Sequence, residues 1–279
     1  MSTLNVAVAQ MVSGPNLRDN LNQAQGLLAE AQNQGAQLVV LPENFAYFGF
    51  KPLSTVAEVP PKHQPVSDFL AQQAQDKQLW LVAGTVPFAC SAAGAPAPAD
   101  KVYAGCSVWN PLGEMVGRYD KCHLFDVIVE DGVGSYRESD TFVAGDGPLS
   151  VETPWGDLGL SVCYDLRFPE YYRRLASPSM TLMSVPSAFT YRTGEAHWHV
   201  LLRARAIENQ CFILAANQGG DHGKQRFTYG HSCIISPWGE VLAERSEVGP
   251  GLATATLDLQ QIERLRQAMP VLNHRRKFD

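Results

Sequence analysis

Three segments of the sequence place a reactive side chain at the end of a strand-like run. Glu43 follows the run at 38–41, Lys121 follows the run at 114–120, and Cys163 follows the run at 158–162. Because α/β proteins build their sites at the ends of strands, these positions are candidates for one reaction centre. Together they would supply a carboxylate, an ammonium group and a thiol.

Each side chain suits one part of a nucleophilic reaction. Burial after a strand and a proline is expected to raise the pKa of Glu43, which suits a general base near neutral pH. Lys121 can place fixed positive charge on a developing oxyanion. Cys163 lies on a predicted sharp strand-to-helix turn, where a nearby cation and the helix end would favour the thiolate. Taken singly, each has a plain alternative: a turn glutamate, a solvated lysine or a buried structural cysteine.

Other chemistries find little support in the sequence. His197 and His199 are two residues apart on a predicted helix, so they point in different directions and do not readily share a metal ion. The sequence contains no Cys-x-x-Cys pair, no His-Glu-x-x-His motif and no Walker-type loop. Gly132 and Gly134 lack the third glycine of a dinucleotide-binding loop. We therefore expect no metal and no cofactor.

Composition narrows the class of protein. The 279 residues carry 22 basic and 28 acidic side chains, a formal net charge of −6. This balance argues against a nucleic-acid partner, and the only basic cluster is the C-terminal run at 275–277. No window approaches the 18 continuous apolar residues of a membrane span, and the first ten residues resemble a strand more than a signal peptide. With six scattered cysteines, a cytoplasmic, reduced protein is expected.

Strand-like and helix-like segments alternate along the chain, which predicts α/β architecture. Three Pro-x-Gly turns, at 111–113, 154–156 and 237–239, favour hairpins and hence mixed sheets. No linker interrupts the pattern, so a single domain over 1–279 is predicted, with its core at about 4–260 and a tail at 261–279. The predicted strands cover 4–10, 38–41, 80–84, 101–110, 114–120, 158–162, 180–185, 211–217, 231–236 and 252–257, and the predicted helices cover 17–31, 66–77, 169–175 and 195–209.

Taken together, the three segments resemble the nitrilase superfamily of carbon–nitrogen hydrolases. The matching contexts are Leu-Pro-Glu-Asn at 41–44, Lys-x-His-Leu-Phe-Asp at 121–126 and Cys-Tyr-Asp-Leu-Arg-Phe-Pro-Glu at 163–170. The resemblance implies a Glu–Lys–Cys triad, a four-layer α-β-β-α sandwich, and association into homodimers or higher homo-oligomers. It also implies a second glutamate beside the lysine, for which Glu138 fits best and Glu130 and Asp131 are alternatives.

The resemblance further implies cysteine-dependent hydrolysis of a small-molecule amide through a thioester intermediate. It is greatest to the branch that holds deaminated glutathione amidase and ω-amidase. Hydrolysis of 2-oxo acid amides, N-carbamoyl compounds or nitriles is an alternative, and a binding protein without catalysis is a more distant one. The expected substrate-binding residues are Tyr164, Ala188, Phe189 and Arg192, with Lys224 and Arg226 as further candidates for holding a substrate carboxylate.

Overall fold

The computed structural model describes residues 2–129 and 134–276, which form fifteen β-strands and five α-helices. No helix in these residues is long and apolar enough to cross a lipid bilayer. The elements in chain order are β1 Thr3–Gln10, α1 Leu17–Asn33, β2 Leu38–Val40, α2 Pro65–Lys77, β3 Trp80–Val82, β4 Val86–Phe88, β5 Tyr103–Trp109, β6 Met115–Asp120, β7 Asp126–Val129, β8 Gly134–Arg137, β9 Leu149–Thr153, β10 Gly156–Leu160, α3 Pro169–Leu175, β11 Met180–Ser184, α4 Tyr191–Asn209, β12 Phe212–Ala215, β13 Ser232–Ile235, β14 Val241–Arg245, β15 Gly251–Asp258 and α5 Gln260–Ala268.

Two mixed sheets form the centre of the molecule. The first has the order β15-β1-β2-β3-β5-β4, with β6 paired to β5, and the second has the order β14-β13-β12-β11-β10-β9. β1, β2 and β3 run parallel in the first sheet, as do β10, β11 and β12 in the second. The carboxyl ends of these parallel strands therefore gather at one edge of each sheet.

Alternation along the strands places the two sheets face to face. Val6 and Val8 on β1 join the core that contains Leu158 and Leu160 of the second sheet. The intervening Ala7 packs instead in the core formed with α1 and α2. Residues one apart on a strand point to opposite faces, so the first sheet has one face on the helices and one on its partner sheet.

Helices cover the outer faces of both sheets. Leu28 on α1 and Leu70 on α2 pack on the first sheet. Trp198 and Leu202 on α4, together with Tyr172 on α3, pack on the second sheet. The resulting layers are helix, sheet, sheet and helix, which confirms the predicted four-layer α-β-β-α sandwich.

Most predicted elements are present, and the three Pro-x-Gly turns each join an antiparallel pair: β5 with β6, β9 with β10, and β13 with β14. The predicted start of α4 at residue 195 is wrong, because the helix already begins at Tyr191. Ile207, an apolar residue of this helix, is half exposed. The predicted tail at 261–279 contains most of α5, whose Ile262 is buried in the core.

Candidate active site

The ends of three strands bring Glu43, Lys121 and Cys163 together. Glu43 follows β2, Lys121 directly follows β6, and Cys163 follows β10. The first two belong to one sheet and the third to the other, so the site lies where the edges of the two sheets meet. All three side chains are buried.

Cys163 occupies a strained turn, as the sequence predicts. Its φ of 49° lies in the left-handed region, which is uncommon for a residue with a side chain and costs some backbone strain. The backbone N–H of Cys163 donates to Pro186 O (2.9 Å), and the N–H of Ala188 donates to the cysteine sulfur. The turn thus aims the thiol away from the strand and holds a backbone donor against it.

Lys121 is the electrostatic centre of the site. Its Nζ donates to Glu43 Oε1 (2.8 Å) and to both carboxylate oxygens of Glu138 (2.8 and 3.0 Å). Glu138 is fixed in turn by the N–H of Phe125, which donates to Oε2 (2.8 Å). Of the three acidic residues considered for this position, Glu138 lies beside the lysine, whereas Glu130 and Asp131 are outside the described residues.

Burial and mutual interaction shift the pKa values of the three groups. Burial raises the pKa of the Glu43 carboxyl, partly offset by the Lys121 charge, and Glu138 raises it further. Although burial alone would lower the pKa of Lys121, its two carboxylate neighbours raise it well above the usual value. Burial, followed by the Glu43 charge, raises the pKa of the Cys163 thiol well above its usual range.

These directions correct one sequence-based expectation. Lys121 lowers the pKa of Cys163, as expected, but burial and Glu43 outweigh it. The resting sulfur is therefore a neutral thiol rather than a preformed thiolate, and it shares a hydrogen bond with the Glu43 carboxylate. A carboxylate of raised basicity in contact with a thiol can remove the thiol proton as the sulfur attacks.

Asp165 ties the cysteine turn to the lysine segment. This fully buried carboxylate accepts from the N–H of Val162 (2.8 Å) and from the hydroxyl of Tyr119 on β6 (2.7 Å). It also accepts from the N–H of His123 (3.1 Å), two residues after Lys121. Asp165 thereby fixes the position of one sheet's nucleophile relative to the other sheet's cation.

A cavity opens onto the thiol. Two arginines line it. The Arg226 guanidinium lies 4.0 Å from the Phe48 ring centroid, and Arg167 lies near the rings of Tyr164 and Phe189. No ion pair of Arg226 with a carboxylate is found among the described residues. Burial lowers its pKa, which signals a partly desolvated cation facing the cavity.

Three of the four expected substrate-binding residues line this cavity, namely Tyr164, Ala188 and Phe189. Arg192 does not belong to the described lining; it is exposed on the first turn of α4, because that helix begins earlier than predicted. Lys224 lines an adjoining groove that shares Arg226 with the cavity. Phe125 also lines the cavity and belongs to the context at 121–126, although sequence reasoning assigned it no binding role. Sequence reasoning missed the remaining lining residues as binding residues: Tyr136, Thr190, Thr193, Phe227 and Thr228.

Comparison with known proteins identifies the family to which the chain belongs. The sequence profile of the Carbon-nitrogen hydrolase family matches residues 5–267. A Synechocystis protein named deaminated glutathione amidase is 44% identical over 271 residues, covering 96% of this chain and 97% of its own length.

Two solved structures extend the comparison. Saccharomyces cerevisiae Nit3, described as a member of branch 10 of the nitrilase superfamily, superposes with a TM-score of 0.86 at 31% identity, covering 99% of this chain and 97% of its own. A Nesterenkonia amidase, solved with acrylamide added to its active-site cysteine, superposes with a TM-score of 0.76 at 28% identity. The match covers 96% of this chain and 98% of the amidase chain. The chain belongs to the carbon–nitrogen hydrolase family of the nitrilase superfamily, and it is a hydrolase of carbon–nitrogen bonds.

Proposed function

We propose that this protein is a cysteine-dependent amidase that works through a thioester, with Cys163 as nucleophile and Glu43 as general base. The observation that carries the proposal is the buried Lys121, whose Nζ lies 2.8 Å from Glu43 while that carboxylate contacts the thiol. A base, a nucleophile and a fixed cation thus meet at the mouth of one cavity. This is the set of groups that acyl transfer requires.

Acylation begins when Glu43 accepts the thiol proton and the sulfur bonds to the amide carbon. The carbonyl electron pair moves onto oxygen, where Lys121 and the N–H of Tyr164 stabilise the negative charge. As the intermediate collapses, the carbon–nitrogen bond breaks and Glu43 gives its proton to the departing nitrogen. The amine leaves, and the acyl group remains on Cys163 as a thioester.

Deacylation repeats these steps with water. Glu43 takes a proton from water, the oxygen attacks the thioester carbon, and the carbon–sulfur bond breaks. The thiolate recovers its proton from Glu43, and the free acid leaves. Throughout both halves Glu138 holds the lysine in place, and its charge also raises the pKa of Glu43.

We propose deaminated glutathione as the substrate, on the strength of the Synechocystis relative's name and of two features of the cavity. Arg226 offers a partly desolvated cation for a carboxylate, and the adjoining groove gives room for a peptide-like leaving group. Charge-assisted hydrogen bonds from arginine to carboxylate are among the stronger polar contacts in proteins. Simple 2-oxo acid amides are the second candidate, because they carry the same carboxylate; N-carbamoyl compounds and nitriles rank below them.

We also propose a homodimer in a reducing, cytoplasmic compartment. Val200 and Ile207 lie seven residues apart on one face of α4 and are 67% and 50% exposed. The β13–β14 turn packs against this face, and its Trp238 is 56% exposed. Covering these apolar side chains with the same face of a second copy would remove them from water. The compartment is supported by six cysteines that are all unpaired.

Removal of the nucleophile tests the mechanism. We expect Cys163→Ala to lose at least about 10³-fold in kcat, because a member of a nucleophile–base pair is removed. Cys106→Ala, a change at another buried cysteine, is the matched control and should keep most of the activity. An intact acyl–protein adduct, detected by mass spectrometry on Cys163 only, would support the thioester. Residual activity of Cys163→Ala within tenfold of the parent would refute the nucleophile assignment.

Product analysis tests the substrate. Deaminated glutathione should release an intact dipeptide, a simple amide only ammonia, and an N-carbamoyl compound carbon dioxide as well. We expect Arg226→Gln to raise KM for deaminated glutathione by about 10- to 100-fold, the usual value of a charge-assisted hydrogen bond. Arg192→Gln, an exposed arginine outside the described cavity lining, is the control. Faster turnover of a neutral amide than of deaminated glutathione would overturn the substrate proposal.

A further inference from the structure

A second cluster of reactive side chains lies outside the active-site cavity. It consists of His199 on α4, His231 directly before β13 and Glu244 on β14. Each supplies one donor atom, and the three atoms lie within 4.8 Å of one another. The cluster therefore joins a helix to two strands of the second sheet through groups that bind metal ions.

The donor atoms converge on one point. His199 Nε2 lies 3.1 Å from Glu244 Oε1, and His231 Nδ1 contacts the same oxygen. The two imidazole centroids are 5.6 Å apart, with the rings inclined at 79°. Ligands held at about 2.1 Å from a tetrahedral ion lie roughly 3.4 Å from each other, so both histidine contacts of Glu244 would have to lengthen to admit an ion.

Packing restricts the orientation of the second imidazole. The ring of Tyr229 stacks on that of His231, with centroids 4.3 Å apart and planes 20° from parallel. Tyr229 also meets His199 edge-on, with the centroids 6.1 Å apart. Because one aromatic ring fixes both imidazoles, little side-chain freedom remains to be lost when a ligand binds.

Charge and exposure suit a divalent cation. The Glu244 carboxylate brings a negative charge to the two imidazoles, and imidazole nitrogens are the commonest metal ligands in proteins. The side chains are 30%, 27% and 26% exposed for His199, His231 and Glu244. This leaves an open side at which water could complete the coordination of the ion.

We propose that His199, His231 and Glu244 form a binding site for a divalent first-row transition-metal ion, Zn²⁺ above all. Two imidazole nitrogens and a carboxylate oxygen are a usual three-ligand set for this ion, with a fourth position left open. The hard ions Mg²⁺ and Ca²⁺ are disfavoured, since they prefer all-oxygen ligands. The ion would bridge α4 and the β13–β14 hairpin, and it takes no part in the proposed hydrolysis.

No spacing rule reveals this site in the sequence. His199 pairs with a residue 32 positions away and not with His197, its near neighbour on the helix. His197 instead contacts Arg167. Only the fold brings the three ligands together.

Zinc titration of the Cys163→Ala protein tests the proposal, because that variant removes the active-site thiol as a competing ligand. Binding is followed by competition with a chromogenic zinc chelator at pH 7.5, and stoichiometry by elemental analysis. We expect one ion per chain with micromolar or tighter affinity. In this background Glu244→Gln, His199→Gln and His231→Asn should each weaken binding at least about tenfold. Asn is chosen at position 231 because φ there is 56°, a conformation that Asn tolerates.

His197→Gln is the matched control, a change of the neighbouring histidine on the same helix, and it should bind zinc as the parent does. Zinc should also raise the melting temperature of the parent Cys163→Ala protein but not that of the variant that carries Glu244→Gln as well. Without metal the two proteins should have the same melting temperature. The proposal is overturned if the parent binds no zinc, or if the three ligand variants bind it as tightly as the parent does.

Discussion

Glu138 offers the sharpest test of the proposed electrostatics, because its substitution moves a pKa in a direction that a purely structural role would not. Burial raises the pKa of Glu43, Lys121 lowers it, and the Glu138 charge raises it. Replacing Glu138 with Gln removes one negative charge and leaves Lys121 paired with Glu43 alone. We expect the pKa of Glu43 to fall in the variant.

The structure sets the size of this effect. The nearest oxygens of both carboxylates lie 2.8 Å from Lys121 Nζ, so they are at most about 5.6 Å apart. Two unit charges at that distance interact by about 3 kcal/mol at an effective dielectric constant of 20, equivalent to about two pH units. Because the Glu138 side chain is 23% exposed, solvent weakens the interaction, and we expect a displacement of about one to two pH units.

The acidic limb of kcat/KM against pH is the measurement, since it reports ionisation of the free enzyme's base. In the parent this limb should lie above pH 4.5, the ordinary value for a glutamate, and in Glu138→Gln it should move to lower pH. Glu152→Gln, an exposed glutamate on β9, serves as control and should leave the limb unchanged. The maximal rate should fall as well, because the lysine loses an anchor.

Two results would refute the reasoning. An acidic limb that stays in place while the rate falls would mean that Glu138 acts only by holding Lys121. A limb that moves to higher pH would mean that the charge of Glu138 does not act on the base.

Three further perturbations follow from the same structure. Asp165→Asn removes a buried carboxylate that accepts hydrogen bonds from both sheets. The free energy of unfolding in urea should fall by about 3 kcal/mol and kcat should fall as well. An unchanged unfolding midpoint would contradict this expectation. Burial lowers the pKa of His222 from 6.5 to about 4, so its neutral form gives stability that is complete above pH 6.5 and lost as the pH falls towards 4. Relative to His222→Asn, the free energy of unfolding of the unmodified protein should fall by about 2 kcal/mol between pH 7 and pH 5. Parallel plots of unfolding free energy against pH for the two proteins would contradict this. Trp238→Glu, which leaves the buried Trp155 unchanged, should convert a dimer into a monomer in analytical ultracentrifugation. An unchanged sedimentation coefficient would exclude the face of α4 and Trp238 as the dimer interface.

Much of the fold could be predicted because its signals are local. The period-two pattern in β1 and the proline at the start of α3 depend on neighbouring residues only. The start of α4 was misplaced because Tyr191 and Arg192 are exposed and contribute nothing to an apolar stripe. The register and order of the strands depend on long-range pairing, which a single sequence does not display.

The site shows the same division. Glu43, Lys121 and Cys163 could be found because each lies within three residues of the end of a strand and in a recognisable context. Arg226 was a weak candidate among several cations, and only the fold separates it from Arg192 by placing one in the cavity. The fate of the Cys163 proton could not be predicted, because the balance between desolvation and a nearby cation depends on depth of burial.

The division of the reacting groups between two sheets has a consequence for thermal behaviour. Base and cation come from one layer and the sulfur from the other, and the two layers pack through a shared hydrophobic core. Any slippage of the layers would pull proton donor from acceptor while each sheet still keeps its own ladder of hydrogen bonds. Activity should therefore be lost on heating at a lower temperature than secondary structure, so the turnover rate would report how tightly the two sheets pack against each other.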